Sequence, residues 1–164
     1  MQVTIQSDRR TRSRAMQNRA ETTSRRRYAI AAPRLDRQGQ ITAFSQPTVT
    51  VTIQTTYGPG VSGEAVSGYG RGTTATDVSA GQTTLRFHEG SHGQDYLDYL
   101  STNPPPTLQA TVGMTIAEFR QAQQEYQQAF EAYFQAMDQA SLHQTDCVGT
   151  TIDQATGSQV CPTP

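Results

Sequence analysis

Phe119, Ala122, Tyr126, Phe130, Tyr133, Met137 and Ala140 recur at steps of three and four residues. That period predicts one helix from about Thr115 to Leu142 with a single apolar stripe. Such a helix draws most of its stability from packing, so it needs a surface to lie on. A coiled-coil partner would serve, but the simpler surface lies upstream in the same chain. Pro47 to Tyr57 reads PTVTVTIQTTY, with Val49, Val51 and Ile53 alternating against threonines. Strict alternation of β-branched residues is the pattern of a half-buried strand. Arg27 to Ala32 and Gln40 to Phe44 are shorter candidate strands.

A second helix is expected from about Ala80 to Leu100, with Leu85, Phe87, Tyr96, Leu97 and Leu100 on its apolar side. Pro104, Pro105 and Pro106 end it, because consecutive prolines cannot continue the backbone hydrogen bonds. With 164 residues, 34% of them hydrophobic and no Trp, the chain can bury one modest core but not two. The expected class is α+β: a small twisted, mainly antiparallel sheet, then two helices. Three regions are expected. Residues 1–26 read as an Arg-rich arm or linker, 27–146 as the folded domain, and 147–164 as a tail.

Within the first predicted helix, Phe87-His88-Glu89-Gly90-Ser91-His92 contains the pattern HExxH. Residues four apart share a helix face, with β-carbons about 5–6 Å apart. His88 and His92 can therefore converge on one metal ion, and zinc accepts imidazole nitrogen at about 2.0–2.1 Å. Glu89 projects beside His88 and can act as a base on a metal-activated water without being a ligand. Gly90 and Gly93 each cost a helix roughly 1 kcal/mol relative to alanine, which makes sense where another chain must approach closely.

Zinc needs a third protein ligand. Asp98 stands ten residues after His88, but Asp95 occupies the position where a glycine would have to turn the chain back. Asp95 and Asp98 therefore fit a supporting role better. Glu118, Glu125 and Glu131 on the long helix are alternatives. Tyr57, Tyr126 and Tyr133 are candidates for steadying an oxyanion, although core packing also accounts for Tyr126 and Tyr133, and the Pro47 to Tyr57 strand could either pair with a peptide as an edge strand or be an ordinary strand of the sheet. The run Gly68-Tyr69-Gly70-Arg71-Gly72 lacks the ending of a phosphate loop and reads as a turn or mobile loop.

The long helix ends in Met137-Asp138-Gln139-Ala140-Ser141-Leu142-His143-Gln144. Together with HExxH, shared by many zinc metallopeptidases, this resembles a bacterial family assigned as secreted zinc proteases. In that family HExxH is followed by a helix ending in YDxxTxHG. The match covers His88 to about Gln144, with Met137, Ser141 and Gln144 replacing Tyr, Thr and Gly. The resemblance implies a zincin-like fold, zinc as cofactor, His143 as third ligand and Asp138 in its support.

All thirteen basic residues are arginine, and eight fall between Arg9 and Arg27. No aromatic precedes Tyr28 to stack on bases, so a solvated leader is the better reading and nucleic acid is disfavoured. No apolar run is long enough to span a membrane. Cys147 and Cys161 could close a loop of about fifteen residues, worth about 3 kcal/mol, or remain two free thiols. A bridge would fit an oxidising compartment. The expected function is peptide hydrolysis by a zinc enzyme, exported to the periplasm or beyond, or delivered as a toxin-type effector. A protein or peptide substrate follows from that reading, with an inhibitor or immunity protein as a further partner. The alternative is a non-catalytic domain with a structural zinc or none.

Overall fold

The computed structural model describes residues 1–162. Its sheet is built around β6, Thr48–Tyr57. Along one edge of β6 run two short strands in parallel, β1 (Gln2–Ile5) and then β2 (Arg9–Arg10). Along the other runs β3 (Ala20–Ala29), antiparallel over its full length, with Ala20 opposite Tyr57 and Ala29 opposite Thr48. A two-stranded ribbon, β4 (Arg34–Leu35) with β5 (Ile41–Ala43), lies apart. The helices are α1 (Ala75–Ser79), α2 (Leu85–Thr102), α3 (Ile116–Ser141) and α4 (Ile152–Thr156). The class is α+β. No helix among the described residues is long and apolar enough to cross a membrane.

The alternation in β6 decides which face is covered. Val49, Val51 and Ile53 are buried, and they join Tyr96 and Leu100 of α2 and the stripe of α3 in one core. The threonines between them point to the opposite face, where Thr48 is exposed, Thr50 and Thr52 are half-buried and Thr56 is buried beside the short Arg14–Met16 turn. On α3 Phe119, Tyr126, Phe130 and Phe134 are buried, while Tyr133 turns aside and its hydroxyl donates to Asn103 O at 2.7 Å. Thr84 caps α2 by accepting from Phe87 N. Thr115 and Glu118 form a reciprocal capping box on α3, which occupies the Glu118 carboxylate.

Two expectations are corrected and one is refined. Residues 1–26 are not an arm: β1, β2 and the first part of β3 lie within them, because backbone pairing to β6 orders a segment whose side chains alone are too polar to do so. The longest pairing, β3 with β6, is antiparallel as expected, while β1 and β2 run parallel to β6 and make the sheet mixed. The Pro47 to Tyr57 strand is central and paired on both edges, so it cannot accept a peptide; the unpaired edges belong to β3 on one side and to β1 and β2 on the other.

Phe134 packs edge-on against Phe130 and lies beneath the Arg26 guanidinium. Replacing it, Phe134→Ala, is expected to lower the unfolding free energy by about 3–5 kcal/mol. Glu131→Ala on the exposed side of α3 should change it by less than about 0.5 kcal/mol. Urea titrations followed by circular dichroism would measure both.

Candidate metal centre

His88 and His92 lie one turn apart on the inner face of α2, their rings edge-on at 5.1 Å. The partners of each ring fix its tautomer. His88 Nδ1 lies 3.1 Å from the carbonyl oxygen of Arg71, which can only accept, so Nδ1 carries the proton. His92 Nδ1 lies 2.8 Å from Ser141 Oγ, whose own proton goes to Asp95 Oδ2 at 3.0 Å. Ser141 therefore accepts from His92 Nδ1–H. Both rings are left with Nε2 lone pairs, and both Nε2 atoms lie 3.2 Å from the same oxygen, Asp146 Oδ1.

Two lone pairs aimed at a carboxylate oxygen repel unless a cation stands among them. The donor atoms of His88, His92 and Asp146 lie within 4.8 Å of one another and form a group able to hold a metal ion. Tetrahedral coordination at about 2.0–2.1 Å separates donors by roughly 3.3 Å, close to what Asp146 shows toward each imidazole. A proton serves the same place when no metal does. Burial disfavours the His88 imidazolium, but its bond to Asp146 and the nearby Glu89 outweigh that and raise its pKa. Burial would raise the Asp146 pKa too, yet the bonds from His88 and His92 hold it at about 2.

Asp146 reaches this position through a change of helical register. After Ser141 the chain continues as one π-helical turn, Leu142–Asp146, closed by Cys147 N donating to Leu142 O. The wider turn carries Asp146 inward and leaves His143 exposed. His143 is thus outside the metal-binding group, and Asp146 stands where the third ligand was expected. Thr145, fully buried, ties the turn down by donating to Asp95 Oδ2 at 2.7 Å. The Cys147–Cys161 disulfide immediately follows Asp146.

The glycine-rich segment is a fixed buttress rather than a mobile loop. Arg71 N donates to Thr145 O, and Gly70 N to Thr150 O, so the segment spans the gap between α2 and the π turn. Gly70 has φ +66°, and a β-carbon there would overlap Thr145 O and crowd the His88 ring. Only glycine lets the backbone pass so close. The Arg71 guanidinium makes a two-pronged pair with buried Asp77 and lies over Phe87.

Glu89 is buried beside the triad. Burial raises its pKa, against Thr22 and the two imidazoles, which lower it. Its Oε2 is buried without a hydrogen-bond partner. The adjoining cavity, about 460 Å³, is walled by Glu89, Tyr69, Tyr96, Leu142 and the Arg19 to Thr22 end of β3.

The other candidates lie elsewhere. Asp138 borders the cavity but is paired with Arg26 rather than with an imidazole. Asp98 is exposed and accepts from Gln94. Glu125 and Glu131 are exposed and accept from Gln121 and Gln127. Tyr126 and Tyr133 pack in or against the core, and Tyr57 has a buried, unpartnered hydroxyl away from the cavity. Tyr69 is the tyrosine set against the triad, its ring edge-on to His88 at 5.1 Å.

Compared with known proteins, the chain matches no family model, no curated protein and no solved structure.

Two outcomes are expected of this frame. The bonds from Arg71, and less so from Gly72 and Thr74, hold the Asp77 carboxyl at about 2, below its unfolded value. Its stabilisation is present above the unfolded value of about 3.9 and disappears as pH falls toward 2. Urea midpoints between pH 5 and 2 should therefore fall more steeply in the wild type than in Asp77→Asn. Cys161→Ser opens the loop next to Asp146 and is expected to cost about 3 kcal/mol of stability, read from the same titrations.

Proposed function

We propose that the chain is a metal-dependent hydrolase that cleaves peptide bonds, with zinc held by His88, His92 and Asp146. One observation carries this reading. Two imidazole nitrogens converge on one carboxylate oxygen, and an unpartnered glutamate oxygen stands in the same cavity. Two nitrogens and an oxygen are a donor set that zinc favours, and three protein ligands beside a cavity suit catalysis better than a closed structural site. A bound zinc would supply Lewis acidity and lower the pKa of a water in the fourth position.

The chain's own groups supply the remainder. Glu89 Oε2 takes a proton from the attacking water, its raised pKa bringing it closer to the working pH of a general base. It then returns that proton to the departing amine nitrogen. Burial, with Asp146 and Glu89 nearby, holds the Tyr69 hydroxyl in its protonated form, suited to donating toward the developing oxyanion. Ser141 and Asp95 keep His92 in the tautomer that offers Nε2, as the Arg71 carbonyl does for His88. The free edge of β3 beside α2 supports an extended peptide as substrate, in the manner expected of a zincin-like site. The disulfide favours an oxidising compartment and hence an exported or effector protein.

Metal analysis of the purified protein tests this directly. About one zinc per chain is expected, lost in His92→Ala and in Asp146→Ala but retained in His143→Ala. Glu89→Gln should keep the metal and lose about 10²- to 10⁴-fold in peptide hydrolysis. Full zinc content in Asp146→Ala, or full activity in Glu89→Gln, would sink the assignment.

A further inference from the structure

The unpaired edge of β3 is flanked by charge that no ion pair among the described residues neutralises. Gly58 N donates to Arg19 O, which sets the ladder so that odd-numbered β3 residues bond to β6. Even-numbered residues then turn their backbone groups to the open edge. Consistent with this, the Tyr96 hydroxyl approaches Thr22 O from that side. The cavity at the metal centre runs along this edge from Arg19 to Thr22. A second depression of about 340 Å³ continues it past Ser24 and Arg26, with Asp138 bordering both.

The side chains of β3 alternate. Thr22, Ser24, Arg26 and Tyr28 face the helices, and Arg26 is balanced by Asp138. Glu21, Thr23, Arg25 and Arg27 face the opposite side. Arg25 and Arg27 are exposed there, and among the described residues neither forms an ion pair. The imbalance extends to the whole chain. Between Arg9 and Arg27 stand eight arginines and one glutamate, while the remainder holds five arginines and thirteen carboxylates. A field of that shape draws an anionic chain to this end of the sheet.

We propose that Arg25 and Arg27 select an extended polypeptide with acidic side chains at alternate positions, bound along the free edge of β3. The proposal rests on the peptidase reading of the metal centre and names its substrate class. A strand added to β3 places its side chains about 4.5–5.5 Å, β-carbon to β-carbon, from those directly opposite. Residues two apart on the added strand share a face, as Arg25 and Arg27 do, so alternate Asp or Glu meets both guanidinium groups. The backbone groups that Ala20 and Ser24 leave unpaired at this edge suit the main chain of a peptide. Among the described residues this face offers threonines and arginines, with Met16 as a single half-buried apolar side chain and no aromatic ring to stack on a base, so a polypeptide fits it better than nucleic acid or lipid.

Fluorescence anisotropy with the full-length Glu89→Gln protein would test this, using three twelve-residue peptides. One alternates glutamate with threonine, one glutamine with threonine, and one lysine with threonine; labelled oligo-dT is the polyanion control. The acidic peptide is expected to bind roughly three- to tenfold more tightly than the neutral one at low salt, the margin shrinking as salt rises. Arg25→Glu/Arg27→Glu should invert the order in favour of the lysine peptide. Equal affinities, an order unchanged by charge reversal, binding of none of the peptides, or oligo-dT binding as tightly as the acidic peptide would each overturn the proposal. Zinc-loaded wild type, incubated with the same peptides, separates the two readings. Equal cleavage of all three removes only the charge preference, whereas an acidic peptide bound selectively but never cut removes the peptidase reading and leaves a binding edge.

Discussion

A carboxylate oxygen 3.2 Å from two imidazole nitrogens would meet repulsion without a proton or cation between them, and much of the surrounding structure holds the three groups in that arrangement. Each ring is pinned from behind at Nδ1, one by the Arg71 carbonyl and one by Ser141, so neither can rotate away from Asp146. Asp146 is pinned by its neighbours, through Thr145 to Asp95 and through the backbone bond from Arg71. Asp95 receives hydroxyl protons from both Ser141 and Thr145 and so ties the far side of α2 to the end of α3. A cation between the three donors turns the repulsion into attraction without moving any of these anchors. Preorganisation of this kind makes a site selective for a charged occupant.

The anchors are only as firm as the frame behind them, and that frame is simple. Val49, Val51 and Ile53 of β6 and the stripe of α3 enclose the inner face of α2, placing His88 and His92 at the helix's buried start. Thr22 of β3 donates to the carbonyl of Glu89, which seats the motif directly on the sheet. The Gly68 to Gly72 segment then closes the third side. Its guanidinium pairs with Asp77 while its backbone serves His88 and the π turn, so one five-residue stretch links three elements.

The sequence made the two long helices, the central strand and the HExxH positions legible because each rests on a local period or spacing that tertiary contacts did not override. The cysteine pair was legible by its spacing, though only the structure joins Cys147 to Cys161. Three features were hidden for definite physical reasons. The β3 segment reads as a solvated leader because its side chains are polar; its order comes from backbone bonds to a strand some thirty residues away. Tyr69 and Arg71 look like loop residues because their part is played by a ring edge and a carbonyl oxygen, which no side-chain pattern announces. Asp146 could not be told from His143 because both follow the same helix end. An α-helical register counts them onto one face, and only the π turn separates them.

That turn has a consequence in evolutionary terms. A π turn is an α-helical turn with one residue too many, since its bonds close over five residues rather than four. Remove any one residue between Leu142 and Asp146 and the strand of hydrogen bonds returns to ordinary register, rotating everything after it by about 100°. Asp146 would then leave its two imidazoles, with every ligand side chain still present in the sequence. In this architecture a single codon therefore decides whether Asp146 faces His88 and His92.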